Sequence, residues 1–155
     1  MRPLHNIILK SSEHGFTLSW QDRLILSHTA DTPCLWIGAG EADIEMFRGN
    51  FSIKDKLNEK IALTEATVAP QNAGWAIRFT RGDAVSATLL VGVDAEGRLE
   101  LKLKNDATCH NRIWLRLAAQ PEDHIYGCGE QFSYFDLRGK PFPLWTSEQG
   151  VGRNK

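Results

Sequence analysis

Seven consecutive residues, Arg98-Leu99-Glu100-Leu101-Lys102-Leu103-Lys104, alternate charged and apolar without a break. Successive side chains point to opposite faces of a strand, so the row places three leucines on one face and four charges on the other. Only a half-buried strand accommodates it. Phe16, Leu18 and Trp20 alternate with Thr17 and Ser19, and Trp75, Ile77 and Phe79 alternate with Ala76, Arg78 and Thr80, which predicts two more strands of that kind. Shorter β-leaning runs lie at Leu24–Leu26, Leu35–Ile37, Val85–Val93 and Ile113–Leu117. Turn signals separate most of them: His14-Gly15, Gln21-Asp22, Asn72-Ala73-Gly74, Arg81-Gly82-Asp83, Ala95-Glu96-Gly97 and Asn105-Asp106. Strands so spaced predict an all-β chain folded as an antiparallel β-sandwich. The stretch Ile53–Leu63 departs from the pattern: Leu57 and Ile61 can share a helical face, no stop signal follows, and it reads as a loop or short helix.

Composition narrows the classes of function. At 155 residues the chain has the size of one domain, large enough for a real core but short of the roughly 200 residues that a (β/α)₈ barrel needs. Eighteen Lys and Arg against 19 Asp and Glu leave a net charge of −1. No basic stripe marks a phosphate backbone, so nucleic acid is not an expected partner. No apolar run approaches the length of a membrane span, and Met1–Lys10 lacks an apolar stretch with a cleavage site, so neither membrane insertion nor export is expected. The three cysteines, Cys34, Cys109 and Cys128, are odd in number and widely spaced, which suits reduced thiols in the cytoplasm.

No repeat or linker divides the chain, yet its character changes after Asp123. Residues 124–155 hold both tyrosines and nearly half of the aromatic residues, they are rich in glycine, and they do not alternate. Aromatic side chains in such a stretch need a surface to cover them. Gly127-Cys128-Gly129 lacks the third glycine and the strand-to-helix setting of a dinucleotide fingerprint. It reads instead as a tight backbone passage that aims Glu130 and Gln131. His124 and Cys128 lie four apart but find no third ligand in the sequence, so no metal and no cofactor is expected, and Cys128 reads as a small buried thiol. Glu122-Asp123 after Pro121 reads as a solvated turn, whereas Glu130, Asp136 and Glu148 stand among aromatics of the kind that shape sugar pockets. Arg138 either meets an anion or pairs with Asp136.

Three segments, Tyr126-Gly127-Cys128-Gly129-Glu130-Gln131-Phe132, Asp136-Leu137-Arg138-Gly139-Lys140 and Trp145-Thr146-Ser147-Glu148-Gln149-Gly150-Val151-Gly152-Arg153, together resemble the N-terminal β-sandwich of glycoside hydrolase family 31. Within that family they are similar to the bacterial sulfoquinovosidase branch. Cys34-Leu35-Trp36-Ile37-Gly38, Met46-Phe47-Arg48-Gly49-Asn50-Phe51 and Asn111-Arg112-Ile113-Trp114-Leu115-Arg116-Leu117 extend the likeness over nearly the whole chain. The resemblance implies a galactose-mutarotase-like domain of a retaining α-glycosidase that cleaves α-sulfoquinovosides. One carboxylate of such an enzyme forms a glycosyl-enzyme and another protonates the leaving oxygen and then activates water. In the family both are aspartates on a (β/α)₈ barrel that follows the sandwich.

On that reading residues 1–155 are an incomplete N-terminal sandwich with the barrel absent. They carry no catalytic residue, are inactive alone, and pack on the barrel through residues 124–155. The resemblance implies a carbohydrate substrate touched by Glu130, Gln131 and Arg138. Two other classes stay open at this stage, besides an α-glucosidase or α-xylosidase of the same family. A free-standing carbohydrate-binding module would stack sugars on exposed rings, although Trp20 and Trp75 fall on apolar faces. A mutarotase-type epimerase would need an acid and base motif that the sequence does not offer.

Overall fold

The computed structural model describes residues 7–47, 50–72, 74–83, 85–105, 109–127 and 134–141. They form ten strands: β1 (Ile7–Ser12), β2 (Gly15–Trp20), β3 (Arg23–Thr29), β4 (Leu35–Phe47), β5 (Asn50–Ala62), β6 (Glu65–Gln71), β7 (Gly74–Arg81), β8 (Val85–Val93), β9 (Leu99–Asn105) and β10 (Arg112–Leu115). Three sheets result, in the orders β1-β2-β3, β10-β4-β5 and β6-β7-β8-β9. No described residue is helical. The chain divides into two compact units, Met1–Glu41 with Leu57–Ala118 and Ala42–Lys56 with Ala119–Lys155.

The first unit is the expected sandwich. Phe16 and Leu18 of β2, Leu26 of β3, Leu35 and Ile37 of β4, Ile77 and Phe79 of β7 and Leu89 of β8 are buried in one cluster. The Phe16 and Phe79 rings meet edge to face at 5.8 Å, joining the first sheet to the third. Each large side chain so covered contributes about 1.5–3 kcal/mol relative to exposure. Leu99, Leu101 and Leu103 pack against this core while Lys102 and Lys104 stay exposed, as the alternation predicts.

Local chemistry sets the hairpins. Trp20 pairs with Arg23, so Gln21 and Asp22 form a two-residue loop, and both have positive φ, 50° and 63°. That geometry matches the twist of the flanking strands. In the loop from β8 to β9, Asp94 Oδ1 accepts from the Glu96 and Arg98 amides, each at 2.9 Å, and Arg98 Nε donates to Oδ2 at 2.8 Å. These hydrogen bonds, the Arg98 amide first, hold the Asp94 carboxyl below the ordinary aspartate value. Pro70 falls on β6, an edge strand, the place in a sheet where a residue without an N–H is tolerated.

Two buried groups are polar by composition and neutral by setting. His28 Nδ1 accepts from the Cys34 amide at 3.3 Å and Nε2 donates to the Thr64 carbonyl at 3.3 Å. Its ring stacks on Phe16 at 5.5 Å and meets the edge of Phe79 at 5.2 Å. Burial lowers the His28 pKa and pushes the Cys34 thiol up to about 11. Both side chains are core material rather than reagents.

One expectation fails. Ile53–Leu63 is neither loop nor helix: residues 53–62 belong to β5, which pairs with β4. A spacing of four, as between Leu57 and Ile61, keeps two side chains on one face of a strand as well as of a helix, and the partner strand decides between them. β4 also runs to Phe47, well past the apolar Leu35–Ile37 run. Asn111 secures its middle, accepting from Gly40 N at 3.1 Å and donating to Gly40 O at 3.0 Å through its side chain.

Candidate functional site

In the second unit the described residues outside β4 and β5 are 119–127 and 134–141. Gln120 and Asp123 close a turn around Pro121 and Glu122: the Asp123 amide donates to Gln120 O at 3.1 Å, and the Gln120 amide donates to Asp123 Oδ2 at 2.8 Å. Proline's fixed φ suits the second position of such a turn. The reading of Glu122-Asp123 as a turn holds.

Asp136 joins the two segments. Its Oδ1 accepts from the Ile125 amide at 3.1 Å and the Arg138 amide at 3.0 Å, and its Oδ2 accepts from His124 Nδ1 at 2.7 Å. The His124 contact, then the Arg138 and Ile125 amides, hold the Asp136 carboxyl at about 2. The Leu137 amide donates to Ile125 O at 2.8 Å beside it. Arg138 meets Asp136 through its backbone; its guanidinium Nη1 donates to the carbonyl oxygens of Gln120 and, at 2.9 Å, Asp123. The sequence reading anticipated a local partner for Arg138 but not that its side chain would serve backbone carbonyls.

Glycine is required twice nearby. Gly127 has φ 106°, while Cys128 and Gly129 lie outside the described residues, and Gly139, at φ 68°, sits in the turn that the Lys140 amide closes on Leu137 O at 3.0 Å. Aromatic rings line the same unit. His124 stacks on Tyr126 at 6.0 Å, Tyr126 meets Phe135 at 5.0 Å, and Lys140 Nζ lies 4.7 Å from the Tyr134 ring.

Of the three residues expected to touch substrate, Arg138 is therefore in view and half-buried, while Glu130 and Gln131 lie outside the described residues, as do Cys128 and Glu148. The His124–Asp136 pair was not foreseen, because its partners are twelve positions apart and no local motif announces them. Among the described residues no three His, Cys, Asp or Glu side chains converge as metal ligands.

Tryptophans of the first unit do not form a sugar platform. Trp20 and Trp75 pack against the core. Trp36 and Trp114 face each other across β4 and β10, with Lys60 Nζ 5.5 Å and 4.6 Å from their rings and the Arg116 guanidinium 5.6 Å from Trp36. Cations of the chain itself cover those rings.

Comparison with known proteins fits this architecture. The family model of the glycosyl hydrolase 31 N-terminal galactose mutarotase-like domain matches residues 17–154. The chain belongs to that family. This family 31 domain is 74% identical over 141 residues to the sulfoquinovosidase of Escherichia coli (strain K12), covering 91% of the chain and 21% of that protein. It is 41% identical over 153 residues to the sulfoquinovosidase of Agrobacterium fabrum (strain C58 / ATCC 33970), covering 94% of the chain and 21% of that protein. A solved structure, a GH31 family sulfoquinovosidase from E. rectale in complex with the aza-sugar inhibitor IFGSQ, superposes with a TM-score of 0.72 at 36% identity, over 95% of the family 31 domain and 21% of that chain. The domain thus spans about a fifth of the length of the relatives it matches.

Proposed function

We propose that these residues are the N-terminal supporting sandwich of a retaining α-glycosidase that releases sulfoquinovose from α-sulfoquinovosides. The observation that carries the proposal is the 74% identity to the Escherichia coli sulfoquinovosidase across nearly the whole chain. The carboxylates that act on the sugar belong, on this reading, to a (β/α)₈ barrel outside residues 1–155, which are too few to contain one. The sandwich packs on that barrel through residues 124–155. Exposed Tyr126, Tyr134 and Phe135 support this, because rings left in water on one region call for a covering surface.

Glu130, Gln131 and Arg138 reach the carbohydrate from the sandwich side of the pocket. The half-buried setting of Arg138, with its Nη1 engaged on backbone carbonyls, supports a place at the pocket wall. A cytoplasmic location is supported by the free thiols Cys34 and Cys109. No helix among the described residues is long and apolar enough to cross a membrane.

The test compares two purified chains against an aryl α-sulfoquinovoside and the matching aryl α-glucoside. Residues 1–155 alone should release no aryl alcohol. The same residues with their natural downstream sequence should cleave the sulfonated substrate and leave the glucoside nearly untouched. Turnover by the 155 residues alone, or preference for the glucoside, would overturn the proposal.

A further inference from the structure

We propose that Cys109 is a modification site for small disulfides, a solvent-facing thiol with His110 as its general base and Glu59 as the carboxylate that orients that base. The site is independent of the glycosidase reading. Cys109 lies exposed in the connection from β9 to β10, and its Sγ is 3.5 Å from Nδ1 of the neighbouring His110. The other ring nitrogen, Nε2, lies 3.5 Å from Glu59 Oε2 on β5, with the imidazole 6% exposed and the carboxylate 53% exposed. Thiol, imidazole and carboxylate therefore stand in a row, the order of a nucleophile, its base and the group that orients the base. Sulfur and carboxylate meet opposite nitrogens of one ring, so the three do not converge on a point, which suits proton transfer rather than metal binding.

The backbone on both sides of His110 is tied down. Asn105, at the end of β9, donates through its side-chain amide to the His110 carbonyl at 2.6 Å, and the Asn111 amide donates to Gly38 O at 3.0 Å. The Asn111 side chain adds its two hydrogen bonds to Gly40 of β4. With Nδ1 as acceptor and Nε2–H directed at Glu59, the ring takes the thiol proton as Sγ attacks, and the imidazolium so formed lies between two groups that favour its charge. Sγ bonds to one sulfur of the disulfide, the S–S bond of that disulfide breaks, and the departing sulfur leaves as a thiolate that takes the proton back from Nδ1. One disulfide is consumed and one mixed disulfide and one thiol form, so no other oxidant takes part. Exchange of this kind asks for these parts and for open approach to the sulfur, which the fully buried Cys34 lacks.

The experiment uses residues 1–155 with their natural downstream sequence and glutathione disulfide as the probe, and peptide mass mapping reads how fast each cysteine gains the mixed disulfide. The control is a free peptide of residues 105–113, which keeps Cys109 and His110 adjacent without the fold. At pH 7 Cys109 should react at least about tenfold faster in the protein than in the peptide, and faster than Cys34. Glu59→Gln, with an unchanged thermal midpoint, should slow Cys109 about threefold, and His110→Gln about tenfold or more. Both losses should fade above about pH 9, where hydroxide removes a thiol proton unaided, whereas a change in access to the sulfur would persist at every pH. If the buried position does not tolerate His110→Gln, seen as a lost thermal transition, the pH profile of Glu59→Gln decides alone. Equal rates in the parent and Glu59→Gln at pH 7, a loss that does not fade with pH, or a Cys109 no faster than the peptide overturns the proposal.

Discussion

The two units of the chain handle apolar surface in opposite ways. In the first, Phe16, Leu18, Leu26, Ile77, Phe79 and Leu89 close a core between two sheets, and its exposed large apolar side chains, such as Ile8 and Val93, are scattered along its strands. In the second, Leu137 is the buried large apolar side chain among the described residues, whereas Ile44, Met46, Phe47, Ile125, Tyr126, Tyr134 and Phe135 are exposed. Among the described residues the first unit is held by burial and the second by hydrogen bonds to a carboxylate, a guanidinium and turn backbone. The exposed rings of the second unit are the surface that the proposed packing on a barrel would cover.

That contrast is open to direct attack. Phe79→Ala removes a fully buried ring and should cost about 3–5 kcal/mol, read as a large fall in the urea midpoint. Acid comes next. The burial-lowered pKa of His28 means that the unfolded chain takes up that proton first, so the first unit is at full stability above the ordinary histidine value and weakens as pH falls through it. The depressed Asp136 carboxyl keeps its hydrogen bonds to His124, Ile125 and Arg138 whole above the ordinary aspartate value and loses them only as pH falls from there toward about 2. Amide exchange along a pH series should therefore show Leu26 and Ile77 losing protection before Ile125 and Arg138. The reverse order would break the comparison. Asn111→Ala removes two hydrogen bonds to Gly40 and should cost about 1 kcal/mol, visible as faster exchange in β4 and β10. Smallest of all, Phe135→Ala should shift stability by less than about 0.5 kcal/mol, because the ring is 88% exposed.

Much of the first unit is legible in the sequence for a physical reason. β2, β7 and β9 each lay one face on the core, so their core-facing residues recur at every second position. β6 is not legible because this edge strand carries Ala66, Ala69 and Pro70 where a central strand would carry larger residues, and β1 because Ile7, Ile8 and Leu9 run together without alternating. β5 was misread because residues four apart fit both periods. The candidate site was legible only in part. Arg138 and Asp136 stood out as charged residues among aromatics, but the partners of Asp136 are the backbone at Ile125 and the ring of His124, and hydrogen bonds to backbone at such a separation leave no mark in residue spacing.

Pro70 has a further consequence. The third sheet ends on β6, and a terminal strand offers its outward amides and carbonyls as a template on which another chain can crystallise or grow a fibril. A residue with no amide hydrogen makes that template discontinuous. At the far side β9 carries Lys102, ion-paired with Glu100 at 2.8 Å, and the exposed Lys104. The four-stranded sheet thus ends in a proline-interrupted strand at one border and a charged strand at the other, two devices by which sheets blunt their edges.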